Sequence, residues 1–191
     1  QGGAYFEVPD FLNSQHTISN ANDCEAYLAR LSAFARSLDE DTAEQRAQSA
    51  RGFTAPGWSI DLTLSQMAKL RGPAAGDSGM VASLVDRARA KGVAGDWAAR
   101  ATRIVESQVY PALDRQIALM TQLRATTQAG DGAWRLPQGD AIYAAALMQA
   151  TTTTMTPDEV HQAGLEQVAD ISAQLDAILK SAGLTQGSVG E

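Results

Sequence analysis

The chain is poor in the side chains that most often carry chemistry. In 191 residues it has one cysteine, Cys24, and two histidines, His16 and His161. A lone cysteine excludes an internal disulfide and any zinc site built on several thiolates. Its expected place is inside, as a small apolar residue on a helix face. A zinc-protease helix needs two histidines at i and i+4, with a glutamate base between them, so that both face one metal. Histidines at 16 and 161 cannot form one. Di-iron bundles need Glu-x-x-His, and neither histidine follows a glutamate at that spacing. The nucleophile elbow, the phosphate loop and the dinucleotide fingerprint are absent too.

Basic residues are also short. Formal charge is −7 and the isoelectric point about 4.8, with no basic run to neutralise phosphates. That makes nucleic acid and anionic membrane surfaces poor candidates as partners. No apolar run reaches transmembrane length, and nothing after Gln1 reads as a signal peptide. A chain that starts at Gln1 without Met is expected to be a piece of something longer.

What the chain has is alanine and helical periodicity. Hydrophobic residues make up 45% of it, enough for one sizeable core or two small ones, and aromatics only 6%. Residues 1–21 show little periodicity and read as an irregular leading segment. Asn22 and Glu25 suggest a capped helix start, followed by an apolar stripe through Cys24, Tyr27, Leu28, Leu31, Phe34 and Leu38. Asp39 or Asp41 would begin a second helix ending at Gly52. Ile60, Leu64, Met67 and Leu70 mark the next face, then Met80, Val81, Leu84, Val85 and Ala88. From Asp96 the pattern is helical to about Thr127, with a kink or break expected near Val109 because Pro111 lies inside. Residues 128–139 form a loop, and a short helix covers 140–150. No strand-like alternation is convincing. The expectation is an all-α, irregular multi-helix bundle of about seven helices, with residues 1–191 as a single helical region.

Thr156-Pro157-Asp158-Glu159 is an explicit helix start. Thr156 can cap, Pro157 suits the first helical position, and the two acids sit beside the positive end of the helix dipole. Val160, Gly164, Val168, Ile171, Leu175 and Ile178 should form the buried side of the helix that follows. His161, in its first turn, reads as a polar surface or interhelical residue. The loop Trp134-Arg135-Leu136-Pro137-Gln138-Gly139-Asp140, followed by Tyr143, admits two readings. Trp134 and Leu136 could plug the core while Arg135 and Asp140 are solvated. Alternatively, Trp134, Arg135 and Tyr143, with His161, could meet an extended ligand.

These residues carry a resemblance. Trp-x-Leu-Pro-x-Gly-x-x-x-Tyr from Trp134, the threonine run, and Thr-Pro-Asp-Glu-Val-His-Gln-x-Gly-Leu-Glu-x-Val from Thr156 are similar to the bacterial family called domain of unknown function 885. Val109-Tyr110-Pro111-Ala112-Leu113 and the Gly52–Leu64 stretch resemble it as well. The resemblance implies a helical protein about three times this length that looks like a gluzincin-type zinc metallopeptidase, exported or lipid-anchored in the periplasm or envelope. Its HExxH helix would lie on further sequence, so this chain alone would be neither an enzyme nor a cofactor carrier, and zinc would belong to the parent. On that reading residues 1–191 are the N-terminal scaffold and substrate-groove region. Its partners would be the rest of the parent chain and a peptide substrate, with a homodimer of the isolated piece as a further possibility. The alternative is a stand-alone helical protein- or peptide-binding module.

Overall fold

The computed structural model describes residues 3–190, and among these every regular element is helical. The elements are α1 (Ala4–Ser14), α2 (Ala21–Ala50), α3 (Gly57–Arg71), α4 (Gly79–Ala90), α5 (Trp97–Ile104), α6 (Tyr110–Thr126), α7 (Gly139–Thr151) and α8 (Pro157–Ser181), with short 3-10 turns at Ala75–Asp77 and Ala133–Arg135. A π-helical turn at Val105–Val109 joins α5 to α6, giving seven separate rods among the described residues. The all-α expectation holds. The chain divides into two compact units, residues 1–131 and 132–191.

In the first unit, α2 is the spine. Cys24, Tyr27, Leu28, Leu31, Phe34 and Leu38 are buried along one side of it, as their spacing predicts. Against this stripe pack α1, α4, α5 and α6, and α3 closes on α6. Two expectations about α2 are corrected. Its cap is Asn20, whose Oδ1 accepts the Asp23 N–H at 3.2 Å while Asp23 Oδ2 accepts the Asn20 N–H at 3.2 Å; Glu25 instead pairs with Arg100. Nor does the helix restart at Asp39 or Asp41. Asp39 holds Arg115 on α6 at 2.9 and 2.7 Å, and Asp41 Oδ2 accepts the Ala4 N–H at 2.7 Å. Asp39 and Asp41 serve neighbouring helices and Glu40 pairs with Arg36 within α2, so nothing interrupts the helix.

The leading segment is a helix rather than irregular. Leu12 is fully buried, and Ala4, Tyr5 and Val8 pack on the core. Burial of that face outweighs Pro9 inside the helix, a case of tertiary packing overriding local propensity. Arg87 fixes the end of α1 by donating to the Leu12 carbonyl at 2.7 Å and the His16 carbonyl at 2.5 Å.

The break expected near Val109 takes a definite form. Pro111 has no N–H to offer the carbonyl of Ser107 and its ring crowds that carbonyl, so the preceding turn widens and the Tyr110 N–H reaches back to the Val105 carbonyl. Tyr110 then donates its hydroxyl to the Pro73 carbonyl at 2.9 Å. Arg71 lies 4.4 Å over its ring and is gripped by Asp114.

Four arginine–carboxylate pairs cross between rods of this unit: Arg71–Asp114, Arg100–Glu25, Arg115–Asp39 and Arg124–Asp61. All are partly exposed, so each is worth little singly, but they fix helix register. The core also contains a polar exception. Gln116 on α6 is fully buried, and its Oε1 and Nε2 have no hydrogen-bond partner. Leaving a buried amide unpaired costs about 1–3 kcal/mol.

In the second unit, residues 132–139 fold onto the start of α7, and α8 follows the threonine run. The start of α8 matches the sequence reading; its burial does not. The side expected to be buried is open: Val168 is 64%, Ile171 53%, Leu175 42% and Ile178 62% exposed. The periodicity reports an apolar face, but no other described part of the second unit covers it.

Replacing Gln116 by methionine, similar in shape but apolar, is expected to stabilise the first unit by about 1–3 kcal/mol, raising the thermal midpoint; a lower midpoint would show the amide to be satisfied in solution. The Arg100 guanidinium holds the Glu25 carboxyl below the usual carboxylate range. Its stabilising contribution is therefore present above the ordinary carboxylate pKa and lost as pH falls through the depressed one. Glu25→Gln should flatten the acid limb of the stability–pH curve, measured by denaturant melts between neutral pH and strong acid.

Candidate functional site

The loop before α7 is held by its own backbone. The Leu136 N–H donates to the Ala133 carbonyl at 2.9 Å, and the Gly139 N–H to the Leu136 carbonyl at 3.0 Å. Gln138 turns left-handed at φ 55°, delivering Gly139 beneath the 3-10 turn. Gly139 is buried there, and a Cβ on it would overlap the Ala133 carbonyl. That contact gives the Trp-x-Leu-Pro-x-Gly motif its physical reason: the loop closes on the helix only over a residue without a side chain. The Trp134 indole lies back across Gly132, where a Cβ would meet the ring.

The closed loop and the first turns of α7 and α8 frame a cleft of about 480 Å³ lined mainly by Trp134, Asp140, Tyr143, Ala144 and Pro157. Trp134 is 70% and Tyr143 51% exposed. Of the four sequence candidates, the structure therefore brings Trp134 and Tyr143 to one wall. Arg135 is half-buried on the same turn and His161 is exposed on α8; neither lines the cleft. Asp140 and Pro157 join the site unanticipated. The available signal was spacing, since Asp140 and Tyr143 at i and i+3 share a helix face.

The threonine run builds the connection to α8. Thr151 Oγ1 donates to the Leu147 carbonyl at 2.8 Å and meets Thr153 Oγ1 at 3.0 Å, and Thr152 ends α7 left-handed at φ 57°. Thr156 and Glu159 then form the reciprocal capping box, with Thr156 Oγ1 accepting the Glu159 N–H at 3.3 Å and Glu159 Oε2 accepting the Thr156 N–H at 2.7 Å. Those bonds hold the Glu159 carboxyl below its ordinary range.

The zinc that the resemblance implies finds no donor set in these residues. Among the described residues no group of three or more His, Cys, Asp or Glu is placed to hold a metal ion. His16 is buried with both ring nitrogens engaged, Nε2 3.0 Å from the Asp23 carbonyl and Nδ1 2.6 Å from Arg30. Arginine can only donate, so Nδ1 accepts and the proton sits on Nε2. Cys24 is buried, and burial with the nearby Asp23 and Glu25 pushes its thiol up, away from the thiolate.

The model of the family described as "Bacterial protein of unknown function (DUF885)" matches residues 1–191. The chain belongs to that family. No curated protein matches it. Among solved structures, one described as "the putative lipoprotein from Colwellia psychrerythraea" superposes with a TM-score of 0.88 at 22% identity, over 97% of this chain and 32% of its own. The DUF885 chain thus shares that fold and spans about a third of that protein's length. No helix among its described residues is long and apolar enough to cross a membrane.

Gly139→Ala is expected to spring the loop from α7. Backbone overlap of this kind costs about 1–3 kcal/mol, and the indole N–H resonance of Trp134 should move to a solvent-like position while those of Trp58 and Trp97 stay in place. Thr156→Ala should cost the second unit about 1 kcal/mol, read as earlier loss of helical signal on heating.

Proposed function

We propose that this DUF885 chain is the helical scaffold and substrate-groove region of a longer, peptidase-like envelope protein whose metal lies on other sequence. The observation that carries the reading is the bare apolar side of α8, Val168 to Ile178. A monomer seldom leaves such a stripe in water. The solved neighbour shares this fold over about a third of its own length, and further polypeptide of that kind is the cover this reading calls for. The zinc-peptidase part rests on the family resemblance, and the envelope location on that resemblance together with the neighbour's description. In this reading the first unit is a rigid platform, the second carries the groove wall at Trp134 and Tyr143, and neither performs a bond-breaking step.

A stand-alone helical module that binds peptides is the second reading, favoured by the formed cleft between the loop and α7. The longer reading frame separates the two. Expressed and purified, the scaffold reading expects it to carry near-stoichiometric zinc and to cleave peptides, while residues 1–191 do neither. A reading frame that continues without an HExxH segment, or a long protein free of zinc and inert to a peptide library, would leave only the binding module.

A further inference from the structure

The cleft of the second unit is aromatic and negatively charged at once. Trp134 and Tyr143 present exposed rings to it, and Asp140 brings a carboxylate with no hydrogen bond or ion pair to any described residue. Two helix N-termini, those of α7 and α8, also open here, since Gly139, Asp140 and Pro157 all line it. Each end carries about +0.5 of an elementary charge. Asp140, Asp158 and Glu159 stand in those first turns and more than cancel the two dipoles. The two first turns together carry net negative charge even with Arg135 on the adjoining turn counted, in a chain whose formal charge is −7. Arg135, the basic residue of the loop, is half-buried and outside the lining.

We propose that this cleft binds a positively charged side chain, lysine or arginine, of an extended peptide. The idea deepens the groove part of the proposed function and is independent of where any metal lies. The face of an indole or phenol ring attracts a cation through its quadrupole, tryptophan most strongly, by roughly two- to thirtyfold in affinity depending on desolvation. Ala144 and Pro157 give the aliphatic stem of such a side chain an apolar wall. Asp140 takes the N–H of an ammonium or guanidinium at the tip. That bond decides between two cationic ligands, because a quaternary ammonium headgroup has no N–H to donate. The cleft's 480 Å³ lies within the range of sites that enclose small organic ligands, so a neighbouring residue of the peptide fits as well.

The test uses the whole 191-residue chain, labelled with ¹⁵N, and follows the Trp134 indole N–H, assigned by comparison with Trp134→Phe. Acetylated, amidated tripeptides carrying arginine, lysine or the neutral lysine isostere norleucine at the centre are titrated separately, alongside phosphatidylcholine vesicles. Saturable shifts are expected for arginine and lysine, with norleucine weaker by roughly tenfold, in line with a cation–π contact of that size. Asp140→Asn should weaken the cationic peptides several-fold and leave norleucine unchanged, and added salt should do the same. Tyr143→Leu, checked by circular dichroism to keep its helices, provides a second variant that should lose the same preference. Equal binding of norleucine and lysine, the absence of any Trp134 shift, or binding of vesicles but not of peptides would overturn the assignment. Cleavage by the longer protein is not measured in this experiment, so the groove assignment and the peptidase reading stand or fall separately.

Discussion

The burial of one side of α2 is the constraint on which the rest of the first unit depends. Tyr27, Leu31, Phe34 and Leu38 are withdrawn from water only because α1, α4, α5 and α6 each bring an apolar side to the same thirty-residue rod. The turn at Val105–Val109 is a consequence. With Val105, Val109 and Leu113 all at zero exposure, the rod carrying them must pass Pro111 without leaving α2. A widened turn achieves that where a sharp kink would uncover the core.

The polar contacts around this core register the helices and do not drive their association. Arginine–aspartate and arginine–glutamate pairs at the rim link α2 to α5 and α6, and α6 to α3. Partly exposed, they add little energy singly, but they tie neighbouring rods together at defined points. His16 and Arg87 play the same part at the end of α1. The two histidines and the cysteine of the chain are thereby accounted for in different ways: His16 and Cys24 are spent on packing, and His161 stays in solvent.

The second unit has the opposite character. Its helices are well specified locally, by a capping box, a left-handed end and a glycine under a loop, yet they bury almost nothing. Local signals determine that a helix forms and where it begins; they carry no information about what covers it. This is why the cleft at Trp134 and Tyr143 is formed while the long apolar side of α8 remains bare. A formed cleft and an uncovered helix side therefore occur within one short stretch.

The apolar faces of α3 and α4, the extent of α7, the start of α8, the interruption near Pro111 and the buried stripe of α2 were legible in the sequence, because caps, proline and three-to-four spacing act within a few residues. Trp134 and Tyr143 were legible as candidates for the same reason. The structure decided that Asn20 and not Asn22 caps α2, that Asp39 and Asp41 bond to other helices instead of breaking their own, and that a segment with Pro9 is helical. It decided too that Asp140 and Pro157 complete the cleft, and that the apolar side of α8 stays open. The Asn20–Asp23 box and the Asp140–Tyr143 spacing are local and could have been read; the others depend on a partner distant along the chain, or on the want of one, and spacing within a single segment cannot encode that.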